Sequence, residues 1–462
     1  MNEPTSPSAA ELPAQIRQLE ALGAELVRNQ RHDDAERIFR ELVNAAPLHV
    51  PALRYLAHRA LLRKELDTAQ TYIERAIRAA PRGAAMHQNL GIILRARGYL
   101  EGALMAFDTA LELHPELAMA WIQRGEVLMA LGRSEEAVAS YLHAENRVGG
   151  LRAFAAASRE SHGPQRAIRR ALVQLARARI ATVHTALAPL LRANPPTALD
   201  RIEPTIRHMC RAALPAYSDP LQRPAYAYVP GLDAHPFFER TDLPFLADLE
   251  CKTDAIRHEL RAVLAERKEL APYVQDPEGR EGRWRELNYS SKWSSYHLYR
   301  SGERVAEHCT RCPATTAALE ALPLVRMQGH APEIFFSILE PHTHIPPHYG
   351  IANYKLAVHL PLVIPPHCSI RVGDQTRGWT PRKCLIFDDS FEHEAWNRSA
   401  EVRVVLILEV WHPSLKAVER EALSTAQSAL ARFNLKADAL VEKRFATARL
   451  RPPAPEQSAA RT

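Results

Sequence analysis

SILEPHTHIPPHYGIANYKLAVHL (residues 337–360) and FDDSFEHEAWNRSAEVRVVLILEVWHP (residues 387–413) bracket the stretch whose reading decides the fold. Seven of the chain's 21 histidines lie between His342 and His412. They sit among short runs rich in Val, Ile, Leu and Phe, at 333–339, 354–363, 368–373, 383–387 and 402–410. Turn signals (PPHYG, PP, GDQTRG, DDS) separate these runs. The pattern predicts antiparallel sheets closed into a barrel, with imidazoles at the rim.

The rest of the chain supplies the context. At 462 residues it is long enough for two or three domains with full cores. Charge is spread along it with a net of +6 and no concentrated basic arm, which speaks against a nucleic-acid partner. No apolar run approaches the ~18 residues of a membrane span. The opening MNEPTSPSAAELPAQ lacks the basic and apolar regions of a secretory signal, so a cytoplasmic location is expected. Six cysteines in so long a chain do not make a disulfide framework.

Residues 16–151 repeat with a period of 34: Ala35, Ala69, Ala103 and Ala137 keep it, as do Pro47, Pro81 and Pro115. So do the small residues Gly23, Ala57, Gly91 and Gly125, the bulky Phe39, Ile73, Phe107 and Tyr141, and Leu42, Ala76, Ala110 and Ala144. Small residues let paired helices cross closely, and proline ends the second helix of each pair. The pattern resembles the tetratricopeptide repeat. Four such repeats imply a solenoid whose groove takes a peptide or a partner protein, although a purely solubilising scaffold has the same sequence signature.

Residues 1–15 are expected to be disordered, 152–219 to form a helical connector ended by Pro195-Pro196, and 220–435 to form the second globular domain. A helix is expected over Leu246–Lys268 and another over Leu415–Leu435. The extension 436–462 ends in a disordered tail from Arg451. Cys309 and Cys312 form a C-x-x-C, but Cys368 and Cys384 are poorly spaced to complete a zinc site, so reduced thiols are the plainer reading.

Imidazole suits ferrous iron, and non-haem oxygenases commonly present two His and one carboxylate, with H-x-D/E on one strand and a distal His tens of residues later. Here His348-Tyr349-Gly350 fills the first position and His393 follows 45 residues on. Gly350 stands where the carboxylate belongs, which by spacing alone argues against an iron site. His342 and His344 read as turn histidines, His412 as structural, Trp396 and Trp411 as packing, and Asp388 as the cap of the turn before Ser390.

PHTHIPPHYGIANYKLAVHLPL, CSIRVGDQTRGW, LIFDDSFEHEAWN and LILEVWHPSL together resemble the aspartyl/asparaginyl β-hydroxylase family over roughly residues 225–420. The resemblance implies a mainly β, double-stranded β-helix domain (jelly-roll/cupin-like) with flanking helices, following the all-α repeat solenoid. It implies an Fe(II)- and 2-oxoglutarate-dependent dioxygenase with O2 as co-substrate. Members characteristically lack the carboxylate ligand, so His348 and His393 are the implied metal ligands, with water at the vacant position and Asp389 orienting it. Arg403, ten residues after the distal His, is implied to fork onto the far carboxylate of 2-oxoglutarate, assisted by Ser337. His359 is implied at the end that chelates iron. Vertebrate members carry Arg two residues before that His. This chain has Ala357 there, and Lys355 on the same strand face is the expected substitute. On this reading the carboxylate of Gly350→Asp completes the common ligand set or takes the water's place, so iron affinity is expected to rise and hydroxylation to fall. The implied activity is hydroxylation of an unactivated C–H, plausibly the β-carbon of Asp or Asn in a peptide or protein that the repeats recruit. A lipid A-type fatty-acyl hydroxylase and a non-catalytic repeat scaffold with an inactive barrel are the competing readings.

Overall fold

The computed structural model describes residues 11–157, 162–276 and 282–449. The chain forms two compact units, one holding the chain up to Leu175 and from Asn434 onward, the other Ala176–Phe433. The division falls inside the helix His162–Ala193, within the stretch read as a connector. Residues 1–10 and 450–462, where disorder was expected, lie outside the described residues. Residue 11, inside the segment assigned to the N-terminal tail, already begins a helix.

In the first unit eight helices pair as Glu11–Arg28 with His32–Ala45, Val50–Leu62 with Leu66–Ala79, Ala84–Ala96 with Leu100–Leu113, and Ala118–Ala130 with Ser134–Arg147. The small and bulky repeat positions meet across each pair. A Cβ on Gly23 would lie 2.7 Å from the Phe39 ring, one on Gly91 2.7 Å from Phe107, and one on Gly125 2.3 Å from Tyr141. In the second repeat the bulky residue is Ile73 instead of an aromatic ring, and there the small residue is Ala57, both buried. The size of one position thus dictates the other.

Asp108 and Arg124 are 2% and 1% exposed. Arg124 Nε donates to Asp108 Oδ1 at 2.6 Å, and Arg444, from the helix Ala417–Arg449, donates through Nε to Asp108 Oδ2 at 2.9 Å. Phe445 lies edge-on to Trp121 at 5.3 Å. One carboxylate therefore bridges two guanidinium groups. Asp108→Ala leaves a buried Arg124 without its counter-ion, at an expected cost of about 3–5 kcal/mol. Amide exchange across residues 100–147 should show opening free energies lowered by that amount.

The second unit carries twelve strands among the described residues: β1 Phe237–Phe238, β2 Ala271–Pro272, β3 Trp293–Arg300, β4 Glu303–Arg304, β5 Ile334–Leu339, β6 Thr343–His348, β7 Lys355–Val363, β8 Cys368–Val372, β9 Gln375–Arg377, β10 Leu385–Phe387, β11 His393–Asn397 and β12 Arg403–Trp411. They form two antiparallel sheets. The larger runs β1-β10-β7-β12-β5-β3-β2, with β4 on β3, and the smaller β6-β11-β8-β9. The five expected apolar runs are β5, β7, β8, β10 and β12.

Strands β6 and β11 were not expected as strands, and they hold His348 and His393. β6 is an edge strand, where Pro346 and Pro347 are tolerated because a proline's missing N–H is not needed by the ladder. His344, read as a turn residue, lies on β6 and pairs with Glu394 at 2.8 Å. The helix expected over Leu246–Lys268 is broken at Lys252 into Leu246–Cys251 and Thr253–Glu266. The helix expected to end near Leu435 continues to Arg449.

Period-2 alternation gives the larger sheet two different faces. Leu356, Val358, Leu360 and Leu362 of β7, with Val404, Leu406, Leu408 and Val410 of β12, pack against Ile256, Leu260 and Val263 of the helix Thr253–Glu266. Each such side chain contributes roughly 1.5–3 kcal/mol by burial. The opposite face joins Ala357, Val405 and Phe387 to Ile345, Ile370, Val372 and Ala395 of the smaller sheet. The odd-numbered residues of β7 and β12 are thereby turned toward the space between the sheets, and among them are Lys355, His359, Arg403 and Glu409.

Candidate active site

A cavity of about 310 Å3 occupies that space, and its wall includes His348, His393, His359, Ser337, Arg403, Lys355 and Asp389. Every residue singled out from the sequence as a site residue lines this one cavity. His348 closes β6 and His393 opens β11, and the two are direct antiparallel partners. Their ring centroids lie 4.1 Å apart. His348 Nδ1 meets the Pro346 carbonyl at 2.8 Å, and His393 Nδ1 meets the Phe391 carbonyl at 3.0 Å. A carbonyl accepts only from N–H, so both protons sit on Nδ1 and both Nε2 atoms present lone pairs. Burial lowers the basicity of His348, and burial next to His348 brings His393 down to about 3. Both rings are therefore neutral, as ligation of a cation requires.

Asp389 sits in the turn before β11, where burial raises its carboxyl to about 7. Its Oδ1 is buried without a hydrogen-bond partner. The Gly350 amide donates to the Asp389 carbonyl at 2.6 Å, and a Cβ on Gly350 would lie 2.2 Å from Asp389 Cγ. The Asp389 carboxyl thus fills the space that a side chain at 350 would need. This overturns the expectation for Gly350→Asp: the new side chain collides with Asp389 and cannot reach a ligand position while Asp389 keeps its place. Gly350→Ala already forces overpacking, costing about 1–3 kcal/mol. It should also weaken metal binding. Asp389→Gly should partly rescue the fold of Gly350→Ala, a coupling that a double-mutant cycle on thermal stability measures. The neighbouring Asp388 takes Gln222 Nε2 at 2.7 Å and caps the turn through the Ser390 amide at 2.9 Å, as expected.

Arg403 is 1% exposed, and its Nε and Nη1 have no hydrogen-bond partner. The face of Trp379 lies 5.1 Å from the guanidinium carbon. Burial lowers its pKa to about 10. A buried guanidinium with no counter-ion is a seat for an anion. Ser337 Oγ accepts from Trp293 Nε1 at 3.0 Å, which leaves its own hydroxyl proton free to donate. His359 Nδ1 accepts from Trp379 Nε1 at 3.3 Å, so its proton is on Nε2. Burial and the Arg403 charge hold this imidazole well below its ordinary basicity. Lys355 forms a buried ion pair with Glu409, and the Glu333 amide donates to the other Glu409 oxygen at 3.2 Å.

Several contributors escaped the sequence reading. Glu409 was legible in principle, because VRVVLILEV places it on the same strand face as Arg403. Trp284, Tyr273 and Trp379 come from segments with no periodic signal, and Trp284 lies edge-on to His348 at 5.1 Å. His412 is structural: its Nε2 contacts the Asp233 carbonyl at 3.0 Å, and its Nδ1 accepts from the Ser414 amide at 3.2 Å. Cys309 and Cys312 are buried free thiols, raised by burial. Among the described residues no three His, Cys, Asp or Glu side chains converge as a metal site.

Residues 250–413 match the family profile described as Aspartyl/Asparaginyl beta-hydroxylase. The match is confined to that segment. Residues 118–146 match the tetratricopeptide repeat. The chain is 35% identical over 199 residues to human "Aspartyl/asparaginyl beta-hydroxylase", covering 42% of this chain and 25% of that protein. It is 34% identical over 181 residues to "Ornithine lipid ester-linked acyl 2-hydroxylase" of Rhizobium tropici, covering 38% and 61%. Human "Aspartate beta-hydroxylase domain-containing protein 2" is 31% identical over 206 residues, covering 44% and 54%. The chain thus spans between a quarter and about three fifths of these relatives. A thermophilic TPR protein of Thermus thermophilus is a structural neighbour at 26% identity, covering 35% of this chain and 89% of that one, with a TM-score of 0.27. No described helix is long and apolar enough to cross a membrane.

Proposed function

We propose that this chain is an Fe(II)- and 2-oxoglutarate-dependent dioxygenase that hydroxylates an unactivated C–H in a peptide or protein, with the β-carbon of Asp or Asn as the position the family points to. The two sheets are read as a double-stranded β-helix. The observation that carries the proposal is the pairing, in one cavity, of two imidazoles with free Nε2 atoms and a buried guanidinium with no partner. His348 and His393 would hold the metal through Nε2. Bound iron, with O2 and 2-oxoglutarate, supplies the oxidant for C–H hydroxylation, with succinate and CO2 as co-products.

Arg403 takes the far carboxylate of 2-oxoglutarate in a bidentate fork, and the free Ser337 hydroxyl adds a third donor. His359, protonated on Nε2, donates toward the carboxylate nearer the metal. Ala357 offers no cation at that end, and Lys355, the expected substitute, is engaged by Glu409, which leaves His359 as the donor there. Asp389, with its unpartnered Oδ1, would accept a hydrogen bond from a water on the metal and so fix its orientation. Sheets on both sides exclude bulk water from the C–H bond. The repeats recruit the protein substrate or a partner.

A second reading, hydroxylation of an acyl chain, draws support from the Rhizobium tropici relative, which is named an acyl 2-hydroxylase. The test begins with anaerobic protein, ferrous iron and 2-oxoglutarate. A weak visible charge-transfer band is expected, and succinate should form once oxygen is admitted. Absence of both would leave a non-catalytic scaffold as the surviving reading. Mass spectrometry for a gain of one oxygen in peptide or acyl substrates then separates the two enzymatic readings.

A further inference from the structure

The cavity is bipolar. Arg403 and Glu409 lie six residues apart on the same face of β12, roughly 20 Å along the strand, and both line the cavity. A five-carbon diacid held at Arg403 does not span that distance, so the outer half is left for the second substrate. Its wall has two components. One is an aromatic platform: the Tyr273 ring stacks on Phe335 at 5.0 Å, and Phe335 on His297 at 4.9 Å. Tyr273 is 40% exposed, so the platform reaches solvent. The other is a pair of carboxylates, Glu333 and Glu409. Among the described residues the outer half has one cation, Lys355, and Glu409 already neutralises it.

We propose that this outer half binds the positively charged side chain of a basic residue, lysine or arginine, that flanks the hydroxylated position of a substrate peptide. Aromatic faces attract cations through their quadrupole, and carboxylates behind them add direct Coulomb attraction. Glu333 has one oxygen on the Ser301 amide and the other 3.5 Å from His297 Nε2, and it is half-buried beside the aromatic platform, where a guanidinium can fork onto it. An acidic flank would meet the two carboxylates and could gain a cation only by stripping Lys355 from Glu409. The chain as a whole carries +6, so its overall field repels cationic peptides and any preference for them must be local.

This inference rests on the oxygenase reading only for what fills the inner half. It is tested by binding to the metal-free full chain, using acetylated heptapeptides with a central asparagine flanked on both sides by arginine, norleucine or glutamate. Calorimetry and tryptophan fluorescence give the affinities. The arginine-flanked peptide is expected to bind at least ~10-fold tighter than the norleucine one, with the glutamate one weakest. The isosteric Glu333→Gln should bring the arginine-to-norleucine ratio close to one without changing norleucine binding. Equal affinities, a preference for glutamate, or binding only to vesicles carrying an amine-headgroup lipid would each overturn the proposal. A separate titration with 2-oxoglutarate keeps the two ideas apart. No 2-oxoglutarate binding with the arginine preference intact sinks the oxygenase reading alone, and the converse sinks only the basic-residue site.

Discussion

Arg403→Met is expected to eliminate 2-oxoglutarate binding and, at the same time, to raise the melting temperature of the metal-free protein. The two effects share one cause. The guanidinium is 1% exposed with two unpartnered N–H groups, so it is paired only when an anion is bound. Losing a buried charged hydrogen-bond partner costs on the order of 2–5 kcal/mol, or roughly 30- to several-thousand-fold in affinity. Without the anion the sign reverses. Burial lowers the Arg403 pKa to about 10, so the folded state disfavours the charged form relative to the unfolded chain. That penalty is present throughout the neutral range and is relieved only as pH rises through about 10. Methionine keeps most of the volume and removes the charge, and replacing buried charges by apolar groups commonly gains about 1–4 kcal/mol. A rise of several degrees in Tm is therefore expected. Arg403→Lys keeps the charge without the fork and should fall between wild type and Met in 2-oxoglutarate affinity. A variant that had merely misfolded would lose stability as well as binding. Unchanged 2-oxoglutarate affinity in Arg403→Met would move the anion seat elsewhere, with Lys355 and Arg371 next to be tested.

His348→Ala and His393→Ala should each abolish iron-dependent succinate formation and lower metal affinity by more than ~100-fold. Changes one layer out from a ligand already cost about 10- to 100-fold, and each of these removes half of the protein-derived set. Neither variant should alter unfolding of the repeats, since both residues lie in the unit Ala176–Phe433. Calorimetric iron titration checks affinity, and succinate checks turnover. Wild-type succinate formation by either variant at saturating iron would remove these residues from the metal site.

The repeats were legible because several registers of the 34-residue period coincide, and each register has a steric meaning that the helix pairs bear out, down to Ala57 opposite Ile73. Five strands were legible from their apolar runs. The two strands that carry His348 and His393 were not, because THIPPH and HEAWN have neither an apolar run nor high strand propensity. Edge position and pairing with β11 and β8 hold them in place, and neither is visible locally. The same limit hid Trp379 and Trp284. Gly350 shows the other side. Its identity looked like a missing ligand, whereas in three dimensions it makes way for Asp389, a relation between residues 39 apart that no spacing rule contains.

The hydrogen bond from Trp379 Nε1 to His359 Nδ1 bears on metal selectivity. Three imidazoles around one cavity would ordinarily invite zinc, which favours three or four nitrogen or sulfur donors in a tetrahedral array. The indole keeps the His359 proton on Nε2, so that nitrogen has no lone pair to offer. On the proposed function a zinc ion would find only half of its usual set here, while a cation suited to water and carboxylate oxygens would give up little. Trp379 would act in this sense as a filter on which ion can settle. Replacing it by phenylalanine frees His359 to change tautomer and would turn an open site into a trap for the more avid metal.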